Sequence, residues 1–183
     1  VTQILQQNTV ALQNQIEALL RFNAAAFEAR ELRRERVGLR ALIEEQVYAQ
    51  RLQWQAHELS VRIDGKDINV TVDATKMGTA IANLLSNAIR YSADGGTITF
   101  ALSTDAGMAR IEIAEAGPGV AQGDRERIFE PFFRGERQPQ HALKGTGIGL
   151  SIVQEYIAAH GGRITLLPDG PGARFLIELP LPA

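Results

Sequence analysis

Two asparagines four residues apart, Asn83 and Asn87, followed by Arg90 and Tyr91, form a first cluster able to do chemistry. The spacing puts both carboxamides on one helical face, with Arg90 on the same side three residues past Asn87. A carboxamide oxygen is a neutral, hard ligand, suited to a Mg²⁺ ion that keeps several waters and shares phosphate oxygens. A guanidinium beside it can neutralise phosphate charge. A second cluster is Lys144-Gly145-Thr146-Gly147-Ile148-Gly149-Leu150, with glycines at alternate positions ahead of a helical pattern. Glycine lets a ligand approach the main chain closely, and a helix N-terminus offers free N–H groups and a positive dipole end to an anion. The spacing is not that of a P-loop, which ends in Gly-Lys-Ser/Thr, nor of the dinucleotide fingerprint, which follows a strand. Two further groups complete the set: Glu115-Ala116-Gly117-Pro118-Gly119-Val120 and Phe129-Glu130-Pro131-Phe132-Phe133-Arg134. Each has a plainer reading by itself: a tight turn, a solvated Asn, a hydrophobic plug. Lys144 and Arg137 either reach a phosphate or stay solvated.

The elements that must position these groups follow from periodicity. Residues 1 to about 36 lack Gly and Pro and carry Val1, Leu5, Leu12, Ile16, Leu19, Phe22 and Ala26 at helical spacing. That is one apolar stripe on a long helix, interrupted by Asn8 and Gln15 as polar seam residues interrupt coiled coils. Its length calls for a partner helix, with packing on its own domain as the alternative. The charged run from Glu28 to Arg36 reads as a solvated helix end. A second amphipathic helix is predicted over Leu39–Gln55. Alternating strands are predicted at Leu59–Ile63 and Ile68–Val72, joined as a hairpin by Asp64-Gly65. A helix over Ala74–Tyr91 carries Asn83 and Asn87. Strands follow at Thr97–Leu102 and Ala109–Ile113, then an irregular span over 115–146, of the length at which loops carry function. A helix from Ile148 stops at Gly161-Gly162, and strands at Arg163–Leu167 and Ala173–Leu179 finish the chain. These elements predict an α+β two-layer α/β sandwich preceded by a long N-terminal helix.

Composition narrows the classes. With 45% apolar residues over 183, a substantial core can form, and a net charge of −2 gives no bulk attraction to nucleic acid or anionic membranes. The absence of cysteine excludes disulfides and thiolate metal sites and fits a reducing cytosol. No apolar run approaches the ~20 residues of a membrane span, and no secretory leader pattern is present. A chain opening on Val1 suggests a fragment of a longer protein.

Taken together in this order and spacing, the four groups closely resemble the catalytic ATP-binding domain of two-component sensor histidine kinases. There they are the N box, first glycine box, F box and second glycine box. The resemblance runs from about Leu39 to the C-terminus, and Glu-Pro-Phe-Phe-Arg-Gly points to the kinases within the wider group that includes gyrase. It implies residues 1–37 as the second helix of a dimerisation hairpin and residues 38–183 as the ATP-binding domain. It implies ATP and Mg²⁺, with Asn87 as metal ligand and Asn83 nearby, and Tyr91 near adenine or ribose. Gly117 and Gly119 would admit adenine to the backbone, with Val120 packing on it. The phosphates would meet Lys144, Gly145, Thr146, Gly147, Gly149 and Leu150. Phe129, Phe132 and Phe133 would anchor the base of a mobile lid between Arg134 and Lys144. The implied partners are a response regulator and a second copy of the chain. The implied parent is anchored in the bacterial inner membrane, with this fragment in the cytoplasm.

Two departures qualify the expectation. The family's adenine-binding Asp is Glu115 here, whose extra methylene moves the carboxylate by more than ~1 Å. The alternative it raises is a nucleotide-free regulatory module that dimerises with a partner kinase. The phosphoacceptor context, His followed by an acidic residue and a nearby Pro, is found at none of His57, His141 and His160, so no autophosphorylation and no certain catalytic residue are expected. A gyrase-type ATPase is disfavoured because Asn83 occupies the position of the water-activating glutamate, and a carboxamide cannot act as that base.

Overall fold

The computed structural model describes residues 1–135, 148–168 and 170–182. Helix α1 spans Thr2–Glu28, and strand β1 follows at Arg34–Gly38. Helices α2 (Leu39–Ala49) and α3 (Arg51–Ala56) lead to β2 (Ser60–Asp64) and β3 (Asn69–Asp73). Helix α4 (Ala74–Tyr91), β4 (Thr97–Asp105), β5 (Met108–Ala114), α5 (Gly149–Ala159), β6 (Arg163–Leu166) and β7 (Arg174–Pro180) complete the order. A five-stranded sheet runs β2-β4-β5-β7-β6, and β1 pairs with β3 in a separate two-stranded ribbon.

The expected mixed α/β sandwich is present. Alternate residues of β4 and β5 (Ile98, Phe100, Leu102 and Ala109, Ile111, Ile113) point into one core, as a sheet with a single packed face requires. Met77, Ile81, Leu84 and Leu85 of α4 meet them in that core. These α4 positions recur every three or four residues and are at most 2% exposed, so the opposite side of α4 is left for the site.

Three local expectations are corrected. The run expected to be a solvated helix end is not helical throughout: α1 ends at Glu28, and Arg34, Glu35 and Arg36 belong to β1, antiparallel to β3. The charges sit on exposed positions of this short strand, the usual protection of a sheet edge. The Asp64-Gly65 hairpin does not form: β2 pairs in parallel with β4, while β3 pairs with β1. The Asp67 carboxylate decides the direction. Its Oδ1 accepts the N–H groups of Arg40 and Ile68, both at 2.9 Å, and so turns the chain toward α2. Finally, the helix predicted over 39–55 breaks at Gln50, whose side chain bridges to α4 by donating to the Ala82 carbonyl (2.9 Å) and accepting from Ser86 Oγ (3.0 Å).

Helix α1 lies against α5 through Ala18, Ala25 and Ala29, which are buried on Ile148, Ile152 and Tyr156. The predicted stripe of Leu5, Leu12, Ile16 and Leu19 is a different face and is exposed.

Candidate functional site

Helix α4 is positioned from its N-terminus. Asp73 caps it: Oδ1 accepts the Lys76 N–H at 3.0 Å, and Oδ2 accepts the Arg33 N–H at 3.0 Å. Burial alone would raise the Asp73 pKa, but the two N–H donors and the Lys76 charge outweigh it and hold the carboxyl below its ordinary range. The Asp73 N–H donates to His160 Nε2 (2.9 Å), and His160 Nδ1 donates to the Tyr156 carbonyl (2.7 Å). His160 is therefore the neutral Nδ1–H tautomer. Burial pushes its pKa down, further than the Tyr156 carbonyl and the Asp73 charge raise it. A cation is mildly favoured at a helix C-terminus; burial reverses that preference here. One imidazole thus ties the end of α5 to the start of α4.

Between α4, the first turn of α5 and the loop after β5 lies a cavity of about 410 Å³. It brings together Asn83, Asn87, Arg90 and Tyr91 from α4, and Gly149 and Leu150 from α5. Glu115, Gly119, Val120 and Phe133 join them from the connecting loops. Lys144, Gly145, Thr146 and Gly147, together with Arg137 and His141, lie outside the described residues. Gly117 does not line the cavity. A Cβ there would collide with the Tyr91 carbonyl oxygen and with Glu115 Oε2, so this glycine seats the loop on α4. Gly119, at φ +68, is the one that needs left-handed backbone freedom.

Glu115 dominates one end. It is 7% exposed, and its Oε1 accepts the Ala173 N–H at 2.8 Å. Its Oε2 is buried and has no hydrogen-bond partner. Burial raises the Glu115 pKa above the ordinary value, partly countered by the Ala173 N–H. A buried carboxylate oxygen without a donor is costly, and on a residue that lines the cavity it calls for a donor. The bond to Ala173 anchors the carboxylate on the approach to β7.

At the other end, Ile148 precedes α5 without a side-chain cap, and Ser151 Oγ turns back to the Ile148 carbonyl at 2.6 Å. The first-turn N–H groups of α5 beside Gly149 and Leu150 therefore suit an anion. Arg90 has no ion-pair partner among the described residues. The aromatic group divides: Phe129 packs edge-on to Phe175 (6.1 Å, 79°), and Phe133 lies under the Arg127 guanidinium at 4.5 Å. Phe132 instead turns outward at φ +66 and is 41% exposed, and the lid it was expected to anchor lies mostly outside the described residues. Sequence reasoning missed Arg21, which α1 brings to the cavity wall, and Ala173, which orients Glu115.

Residues 72–183, more than half of the chain, match the family of histidine kinase-, DNA gyrase B- and HSP90-like ATPases. The chain belongs to that family. It is 34% identical to the sensor histidine kinase TmoS of Ectopseudomonas mendocina over 99% of its own length and 19% of that protein's. The mycobacterial sensor histidine kinase MprB superposes with a TM-score of 0.74 at 29% identity, covering 81% of this chain and all (100%) of that structure. Full-length ShkA in complex with AMPPNP superposes with a TM-score of 0.79 at 25% identity, covering 97% of this chain and 37% of that one. The chain spans well under half the length of the curated relatives it matches. It is a catalytic ATP-binding domain of the sensor histidine kinase type.

Proposed function

We propose that the cavity holds Mg-ATP and presents its γ-phosphoryl group to a histidine supplied by the rest of the kinase, from which it passes to an Asp of a response regulator. The observation that carries this reading is the unpartnered, buried Oε2 of Glu115, a residue at one end of the cavity, with the uncapped start of α5 at the other and Arg90 on the α4 wall. Adenine offers an amino donor and a triphosphate offers anions, so the two ends match the two ends of ATP. Glu115 Oε2 accepts the adenine amino hydrogen, and Val120 packs on the base beside Gly119. Tyr91 borders the base or ribose. Arg90 and the N–H groups of Gly149 and Leu150 hold the phosphates, together with residues 144–147. Asn87 would hold Mg²⁺ through its carboxamide oxygen, with Asn83 beside it, and the ion would supply positive charge against the polyphosphate. A metal held mainly by substrate phosphates and water needs few protein ligands. Phosphoryl transfer depends on positioning and charge neutralisation, which these residues provide.

No histidine of this chain is read as the acceptor. His160 is buried and neutral, and His57 faces Asp94 at 3.0 Å. The ATP-binding unit begins with β1, and α1 is the second helix of a dimerisation hairpin, its exposed Leu5–Leu12–Ile16–Leu19 face available to a second copy. No helix among the described residues is long and apolar enough to cross a membrane; we read the membrane anchor as belonging to the parent protein. The test is transfer in trans. Labelled ATP is added to this chain with a separate hairpin bearing the acceptor histidine, and then with a response regulator. Label should reach the hairpin and then the regulator, and should never accumulate on this chain. Label on the 183-residue chain itself would contradict the reading. A chain that binds no nucleotide would instead be the regulatory module.

A further inference from the structure

Helix α1 does more than cover α5. Ala18 and Ala25 are buried against Ile148 and Ile152, and Arg21 falls on the same helical face, three residues after one and four before the other. Ile148 and Ile152 also line the cavity, and so does Arg21. Arg21 therefore shares the cavity with the first turn of α5, where Gly149 lies beside Asn83. The alanines make this approach possible, since larger side chains there would lift α1 from its seat. Arg21 has no ion-pair partner among the described residues. Among the described residues it is an unpaired cation on a docked helix, in a cavity that also holds the uncapped start of α5.

We propose that Arg21 contacts the nucleotide polyphosphate, so that nucleotide occupancy and the docking of α1 on α5 reinforce each other. The inference rests on reading the cavity as the Mg-ATP site. By linkage, whatever factor docked α1 adds to ATP affinity, ATP adds to the docking equilibrium. The hairpin helix would then be held against the ATP-binding unit by polyphosphate and released without it. Adenosine, which lacks phosphate, should neither feel Arg21 nor hold α1.

The experiment titrates the full chain with Mg-ATP and with adenosine, as wild type and as the Arg21→Ala, Arg21→Lys and Ala18→Trp variants. The chain has no native cysteine, so exposed Asn14 on α1 and Gln154 on α5 can be exchanged for cysteines and spin-labelled to report docking as a distance. Arg21→Ala should weaken Mg-ATP about three- to tenfold, the scale of a part-exposed charge contact, and leave adenosine unchanged. Arg21→Lys should recover part of the loss. Ala18→Trp, which unseats α1 without touching the cation, should weaken ATP as much as Arg21→Ala, and the double variant no further. Mg-ATP should narrow the α1–α5 distance distribution in the wild type and not in Arg21→Ala. Unchanged ATP affinity in Arg21→Ala with normal adenosine binding would overturn this inference alone. Failure of the wild type to bind either ligand would overturn the nucleotide reading with it.

Discussion

Exchange of Glu115 for Gln separates the two oxygens of one carboxylate and so tests base recognition at a single atom. Oε1 is fixed by the Ala173 N–H at 2.8 Å, and Oε2 is buried without a partner. In Glu115→Gln the same N–H selects the amide oxygen, because the alternative places two donors together. The NH₂ group must then take the Oε2 position. Against adenine it meets the exocyclic amino group, donor against donor. Loss of a hydrogen bond to a charged acceptor costs about 1.5–3 kcal/mol, or roughly 10- to 150-fold in ATP affinity. Guanine carries a carbonyl oxygen in place of that amino group, so the variant should lose ATP binding and gain relative affinity for GTP. The apo protein should respond in the opposite direction. Burial raises the Glu115 pKa, so the native protein binds this proton more tightly than the unfolded chain. That stability is full below the ordinary carboxylate range and is lost as pH rises through the raised value. Glu115→Gln has no charge to bury, so its stability relative to wild type should increase with pH above that range. The assays are competition between ATP and GTP for the cavity and urea denaturation at pH 5 and pH 8. Equal ATP affinity in Glu115→Gln and wild type, with no shift toward GTP, would refute the assignment of Oε2 to adenine.

Other outcomes follow from the same geometry. Asp73→Ala removes the α4 cap and the partner of the Arg33 N–H, and should lower unfolding free energy by about 1–2 kcal/mol in urea titrations. The depressed pKa of His160 means that native stability is retained above about pH 6.5, the ordinary histidine value, and falls as pH drops through the native value. Denaturation midpoints between pH 8 and pH 5 should show this loss, which His160→Gln should flatten. Gly117→Ala drives a methyl into the Tyr91 carbonyl oxygen and should destabilise the fold by about 1–3 kcal/mol in the same assay. Asn87→Ala should abolish the difference in ATP affinity between Mg²⁺ and EDTA while leaving adenosine binding intact.

Local chemistry was legible where one element decides its own structure. The limits of α4 follow from its apolar period and the Asp73 cap, and Asn83, Asn87, Arg90 and Tyr91 share the cavity as the helical spacing requires. What escaped depends on partners distant in sequence. Asp64-Gly65 is a sound hairpin signal, yet β2 finds β4 across the intervening α4, and Asp67 turns the chain elsewhere. Arg34–Arg36 carry charges at helical frequency, but pairing with β3 makes them a strand. Arg21 escaped because α1 docks through alanines, which leave no stripe among larger apolar residues. The bond from Ala173 to Glu115 joins residues 58 positions apart, and no motif announces it.

Whether this cavity is a Mg-ATP site is tested most directly by isothermal titration of the unmodified chain with ATP, in Mg²⁺ and in EDTA. One-to-one binding that Mg²⁺ strengthens and ADP displaces is the predicted result. A chain that remains folded and gives no binding with either ion condition would contradict it.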